Sequence, residues 1–200
     1  MNREVRIWAL IVSLFAFTAV SYSQVTQVAT NKWSVGLNVG GQRLYGDRTS
    51  VGVGLGFEGF ITNRLLKFAD LSFALGYSQL KYKFTTIPST TDLFNADLKG
   101  NFEVVSRGLL RPFVTVGLGV VNFHILNSGI GRFWDATLFG GGGFKINFNS
   151  RFDWIIAADY RFTTGDNFDN IINEGKSKDG YLNVRAGVAY KLPTWGRETP

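Results

Sequence analysis

From residue 180 to 192 the chain reads G-Y-L-N-V-R-A-G-V-A-Y-K-L, with Leu182, Val184, Ala186, Val188, Tyr190 and Leu192 on one parity. Tyr181, Asn183, Arg185, Gly187, Ala189 and Lys191 take the other. Strict alternation is the period of a β-strand, and this run outlasts the usual strand of a soluble sheet. It is long enough to cross a bilayer at a tilt. Lipid offers no water to a free strand edge, so a spanning strand must be paired on both sides and its sheet must close. The closing partner is expected near the other end of the chain. Residues 33–41 supply it, setting Trp33, Val35, Leu37 and Val39 against Ser34, Gly36, Asn38 and Gly40.

Six more runs alternate in the same way, at 51–60, 68–84, 92–104, 112–125, 133–148 and 152–163. The third changes parity at Leu80, Tyr82 and Phe84, which predicts a bulge or a stretch rising beyond the membrane. Between the runs, 43–50, 62–67, 85–91 (with Pro88), 105–111, 126–132, 149–151 and 165–179 read as turns and loops. The fold class predicted is all-β, a closed antiparallel transmembrane β-barrel of about eight strands in up-and-down order. The connections after runs two, four and six are compact and carry Arg64, Lys67, Arg107, Arg111 and Arg151; the others are mostly longer or more polar. Short periplasmic turns opposite longer external loops are the asymmetry of such barrels. Gly52, Gly54 and Gly56 imitate a phosphate-binding loop, but they alternate inside a strand instead of joining a strand to a helix. They mark a face where side chains have little room.

Alternation alone leaves open whether the apolar row meets lipid or packs a dry soluble core, as in lipocalin-like barrels. The other row decides for lipid. It is mostly Gly, Ala, Ser, Thr and Asn with sparse charge, which suits a crowded lumen better than a solvated surface rich in Lys and Glu. Aromatic residues near strand ends on the apolar row form the girdle of a membrane interface. They are Trp33, Trp134, Phe148, Trp154, Phe162 and Tyr190, with Phe60, Phe84 and Phe94.

Composition adds the compartment. Arg3 and Arg6 precede an apolar stretch, 7–20, and small residues at 21–23, the layout of a secretory signal peptide. The stretch is shorter than the roughly 20 residues of a spanning helix. The expected division is a signal peptide at 1–23, a barrel at 24–192 and a periplasmic tail at 193–200. The chain lacks cysteine, so it has neither a disulfide framework nor a thiolate metal site, and closure of the sheet has to supply the stability. Its net charge is +6. With export and no long basic cluster, anionic lipid is a better partner for that charge than nucleic acid.

The run Arg185-Ala-Gly187-Val-Ala-Tyr190-Lys-Leu192 resembles the polar-x-Gly-x-x-hydrophobic-x-hydrophobic signal by which outer-membrane barrels are recognised for insertion. Here it is followed by 193–200 instead of ending the chain at an aromatic residue. With eight alternating runs, the chain is similar to small outer-membrane β-barrel proteins of the OmpA/OmpX type. That resemblance implies a bacterial outer-membrane location, with outer-membrane lipids and the barrel-insertion machinery as partners. It leaves activity open, because the family includes adhesins, structural barrels, small-solute channels and lipid-modifying enzymes.

Glu58, Asp97, Lys99, Glu103, Lys145, Asp153, Asp159, Arg161, Arg185 and Lys191 are predicted to face the lumen. They make either a polar pathway with carboxylates for acid-base work or, as an eight-stranded interior is nearly filled by side chains, a paired plug. His124, with Ser128 four residues on, invites comparison with lipid A deacylases. The spacing differs and no acid is assigned, so neither catalytic nor cofactor residues are expected. Tyr45, Arg48, Phe168, Ile171 and Ile172 lie in predicted external loops, where a protein partner or extracellular ligand is expected to bind. The function read from the sequence is structural or loop-mediated binding, with a plugged lumen. Passage of small hydrophobic solutes is the alternative, and lipid A modification a more distant one.

Overall fold

The structure, a computed structural model, describes residues 32–45, 52–84, 87–125, 133–163 and 180–193. They form eight strands: β1 (Trp33–Tyr45), β2 (Val53–Leu66), β3 (Ala69–Phe84), β4 (Ile87–Glu103), β5 (Leu110–Ile125), β6 (Phe133–Asn147), β7 (Phe152–Thr163) and β8 (Gly180–Lys191). Each pairs antiparallel with the next, and β1 returns to β8 in register from Ser34 opposite Lys191 to Tyr45 opposite Gly180. The barrel is therefore closed, as a spanning sheet must be. The shortest strands, β7 and β8, have 12 residues, enough to cross a hydrocarbon core at a tilt.

Burial is inverted relative to a soluble protein. Leu37 and Leu55 are 70% and 74% exposed, and the outward row continues through Phe73, Leu98, Leu118, Leu138 and Ile156. The opposite row holds the charges, with Asp97 and Arg161 each 1% exposed. Leaving one Leu or Phe in water forfeits about 1.5–3 kcal/mol of burial, so seven such side chains on one surface require an apolar medium around the barrel. A soluble barrel with the large residues inside is excluded.

The ends of the strands differ from the pattern read in the sequence. Strand β1 runs on to Tyr45, and β2 runs on through the expected turn at 62–67 to Leu66, with one irregularity in its pairing between Arg64 and Leu66. Strand β4 begins at Ile87, so Pro88 lies in a strand, opposite Lys83. Pairing of β4 with β5 stops at Thr91, leaving an edge where a residue without an N–H removes no ladder bond on that side. The parity change at Leu80 is not a bulge: β3 and β4 stay in register from Ala69 to Phe84. Leu80 instead points inward, 1% exposed, against Leu93, Val121, Phe123 and Tyr181. The part of the lumen far from the compact turns thus holds an apolar group beside buried polar residues such as Gln42, Ser78, Thr91 and Thr163.

The compact turns lie together at one end. Gly108, with φ of 105°, occupies the turn between β4 and β5 in a conformation that disfavours a side chain. In the turn between β6 and β7, Asn149 Oδ1 accepts hydrogen bonds from the backbone N–H groups of Arg151 and Phe152, both at 2.8 Å. An Asn that closes its own turn is the Asx device expected there.

Candidate functional site in the barrel lumen

Successive even or odd residues of a strand point the same way, so pairs two apart enter the lumen together. Asp97 and Lys99 come from β4, Asp159 and Arg161 from β7, Glu58 from β2 and Arg185 from β8, and all six are buried. Lys99 Nζ donates to Glu58 Oε2 at 2.5 Å. Arg161 reaches Asp97 Oδ2 through Nη2 and Asp159 Oδ1 through Nε, both at 2.8 Å. Arg185 pairs with the other oxygen of Asp159, and its Nε lies 3.9 Å from Glu58. Three carboxylates meet three cations across the middle of the bore. A buried ion left alone is far costlier than a pair, which explains the balance. The Arg161 guanidinium also lies over the Phe139 ring, 4.3 Å from its centroid. That ring fits because position 117 has no side chain, since a Cβ there would sit 2.3 Å from it.

A second cluster lies nearer the compact turns. Arg64 donates to Asp70 Oδ1 at 2.8 Å and to Glu103 Oε1 at 2.6 Å. Lys145 donates to Glu103 at 3.0 Å and also pairs with Asp70. Arg111 donates to Asp153 Oδ2 at 2.6 Å, and Lys191 Nζ lies 2.8 Å from Asp153 Oδ1. Arg64, Asp70 and Arg111 are missing from the lumen set read in the sequence, because Arg64 and Arg111 fell in expected turns and Asp70 at a strand's start. Extending the period-two parity past the limits of the runs would have found the arginines, since Arg64 shares that of Glu58, whereas Asp70 already lay in the run 68–84 on the parity of Ser72.

A cavity of about 780 Å³ reaches from the middle cluster to the turn end. Phe60, Phe113, Ile155, Ala157 and Ala189 give it an apolar wall. Phe60 was expected in the outer girdle. Its parity is that of Glu58, however, so it points inward. On the far side of the middle cluster, among the described residues, a pocket of only about 20 Å³ lies beside Gln42, Asn183 and Arg161, roughly the room of one water.

Of the other candidate positions, Trp33, Trp134, Phe148, Trp154 and Phe162 are exposed on the outside, with Phe94. Tyr190 faces outward against Phe152, ring centroids 5.1 Å apart. In the insertion-signal run, Arg185 enters the lumen. Gly187 sits where a Cβ would meet Asn38, and the Leu192 N–H donates to the Trp33 carbonyl at 2.9 Å. His124 stands in β5 opposite Asp92. Ser128, Arg48, Phe168, Ile171 and Ile172, the side chains of Tyr45 and Phe84, and segments 1–23 and 194–200 lie outside the described residues.

The sequence matches the family model of the outer membrane protein beta-barrel domain over residues 12–192. The chain belongs to this family. It is a bacterial outer-membrane barrel, of the small eight-stranded kind that the OmpA/OmpX resemblance implied. Neisserial surface protein A has a similar fold, with a TM-score of 0.59 at 13% identity over 80% of this chain and 97% of that one. OprG of Pseudomonas aeruginosa gives 0.57 at 11% identity over 82% and 98%. Ail, the attachment invasion locus protein of Yersinia pestis, gives 0.50 at 13% over 79% and 96%. A search of curated proteins returns no match.

Proposed function

We propose that this outer-membrane barrel has a structural or loop-mediated binding role, including adhesion, and that its lumen is closed to hydrophilic solutes. The observation that carries the reading is the middle cluster: Arg161, bonded to Asp97 on β4 and Asp159 on β7, bridges the bore. Strands β4 and β7 lie on different sides of the barrel, so the link spans the interior. The apolar group of Leu80, Leu93, Val121, Phe123 and Tyr181 fills the bore beyond it. With transport closed, activity falls to the outer loops, which carry function in scaffolded folds. Two barrels of similar fold are, by name, a surface protein and an attachment invasion locus protein. In this reading the insertion machinery takes up the chain through Gly187, Tyr190 and Leu192, and lipid surrounds the girdle.

Replacing 165–179 with a short turn tests the loops. The barrel should still form, judged by its altered gel mobility without heating, while adhesion of expressing cells to extracellular matrix or host cells is lost. Undiminished adhesion would overturn the loop reading. Passage of small hydrophobic solutes is the second reading, and it requires the apolar group to part within the bore. Faster uptake of a hydrophobic substrate by expressing cells would select it.

A further inference from the structure

The cavity at the turn end combines two features that a plug does not need. Among the described residues that line it, nine charged side chains are basic and three are acidic, Glu58, Asp70 and Asp153. The buried Glu103 adds a fourth acid behind Arg111 and Lys145. Lys99 and Arg185 are already balanced in the middle cluster, and most of the excess that is left sits at the mouth. Lys32, Lys67 and Arg107 line the opening, and among the described residues no carboxylate lies within ion-pair distance of them. Further in, Arg111 Nε is buried without a hydrogen-bond acceptor and Lys191 Nζ has Asp153 Oδ1 alone, 2.8 Å away, while Glu103 Oε2 is buried without a donor. Beyond these cations the wall turns apolar at Phe60, Phe113, Ile155 and Ala157. A volume of about 780 Å³ lies within the range of small-molecule sites, roughly 300–1,000 Å³.

The geometry points to a binding site, open toward the periplasm, for a small organic anion with an apolar body, such as an aromatic or short-chain carboxylate. The mouth cations draw the anion in, since clefts lined by one sign of charge concentrate the opposite one. The buried donors of Arg111 and Lys191 receive its oxygens, and the apolar body displaces water from the Phe60–Phe113–Ile155 wall. The middle cluster is the floor. Asp70 and Asp153 disfavour a second negative charge, which sets the preference for a monoanion. The site depends on neither the outer loops nor their ligand.

The probe is 4-(trifluoromethyl)benzoate, followed by ¹⁹F NMR with the full chain refolded in phosphatidylcholine nanodiscs and empty nanodiscs as the blank. Saturable broadening is expected with the barrel only. Ala157→Phe fills the cavity from its wall and should abolish it. Lys67→Gln with Arg107→Gln, at exposed positions that break no ion pair, should weaken binding by about two- to thirtyfold, the range for two solvent-exposed charges. The uncharged 4-(trifluoromethyl)benzamide should not saturate, and inorganic phosphate at equal ionic strength should displace the probe far less well than unlabelled benzoate. The proposal is overturned by binding equal to the blank, by an unchanged Lys67→Gln/Arg107→Gln variant, by an amide that binds as well as the acid, or by phosphate that competes as well as benzoate. If Ala157→Phe does not fold, the mouth variant and the competitors decide.

Discussion

Arg161→Met removes the cation that bridges the bore and leaves a shorter, uncharged side chain in its place. In the native cluster Arg161 holds Asp97 and Asp159, each at 2.8 Å. Without it Asp159 keeps Arg185, but Asp97 keeps only the Asn95 amide at 2.8 Å and Lys99 at 3.9 Å. A balanced cluster becomes one with an excess buried carboxylate. Breaking a buried pair from one side costs about 3–5 kcal/mol. With a urea slope of about 2 kcal/mol/M, the unfolding midpoint should fall by about 1.5–2.5 M. Tryptophan fluorescence during urea titration of the refolded barrel in phosphatidylcholine vesicles reads this directly. Adding Asp97→Asn restores neutrality, leaving Glu58 and Asp159 with Lys99 and Arg185. The double variant should therefore recover at least half of the loss, since replacing both members of a buried pair is often near neutral. A loss below about 1 kcal/mol, the value of an exposed pair, would refute the argument, as would a double variant less stable than the single one.

Gly117→Ala should cost about 1–3 kcal/mol by overpacking, because its Cβ would meet the Phe139 ring at 2.3 Å. Gly59→Ala, whose Cβ would find only Leu37 at 3.6 Å, should stay within about 0.5 kcal/mol of wild type; the same titration compares the two. Leu118→Arg, outward on β5 and 60% exposed, should cost about 2–4 kcal/mol if it lies near the bilayer midplane, and Leu65→Arg near the turn end about 0–1. In planar bilayers the wild-type barrel should show no steady conductance. Arg161→Ala with Asp97→Ala should show it, and conducting wild-type barrels would contradict closure.

The barrel was legible because closure in lipid imposes one rule on every strand, and residues such as Leu182, Val184, Ala186 and Val188 obey it without exception. The middle cluster was legible for the same reason: Glu58, Asp97, Lys99, Asp159, Arg161 and Arg185 are charges on a row otherwise of small residues. What escaped was whatever the rule does not encode. Leu80, Leu93, Phe113, Phe123 and Phe60 are apolar residues that face inward, and hydropathy alone treats an apolar residue as lipid-facing. Arg64 and Arg111 lie in strands beyond the limits that loop-like composition set for them. Which cations meet which carboxylates depends on the stagger between strands, and no local pattern carries that information.

Inversion of the two rows is the claim on which the rest stands, and a nitroxide scan along β7 tests it most directly. The chain has no cysteine, so single cysteines at 154, 155, 156, 157 and 158 can each be labelled cleanly in lipid vesicles. Oxygen, which concentrates in the bilayer, should relax the labels at 154, 156 and 158, while a water-soluble nickel chelate should reach those at 155 and 157 through the cavity. Oxygen contact peaking at 155 and 157, or no alternation along the strand, would contradict the account.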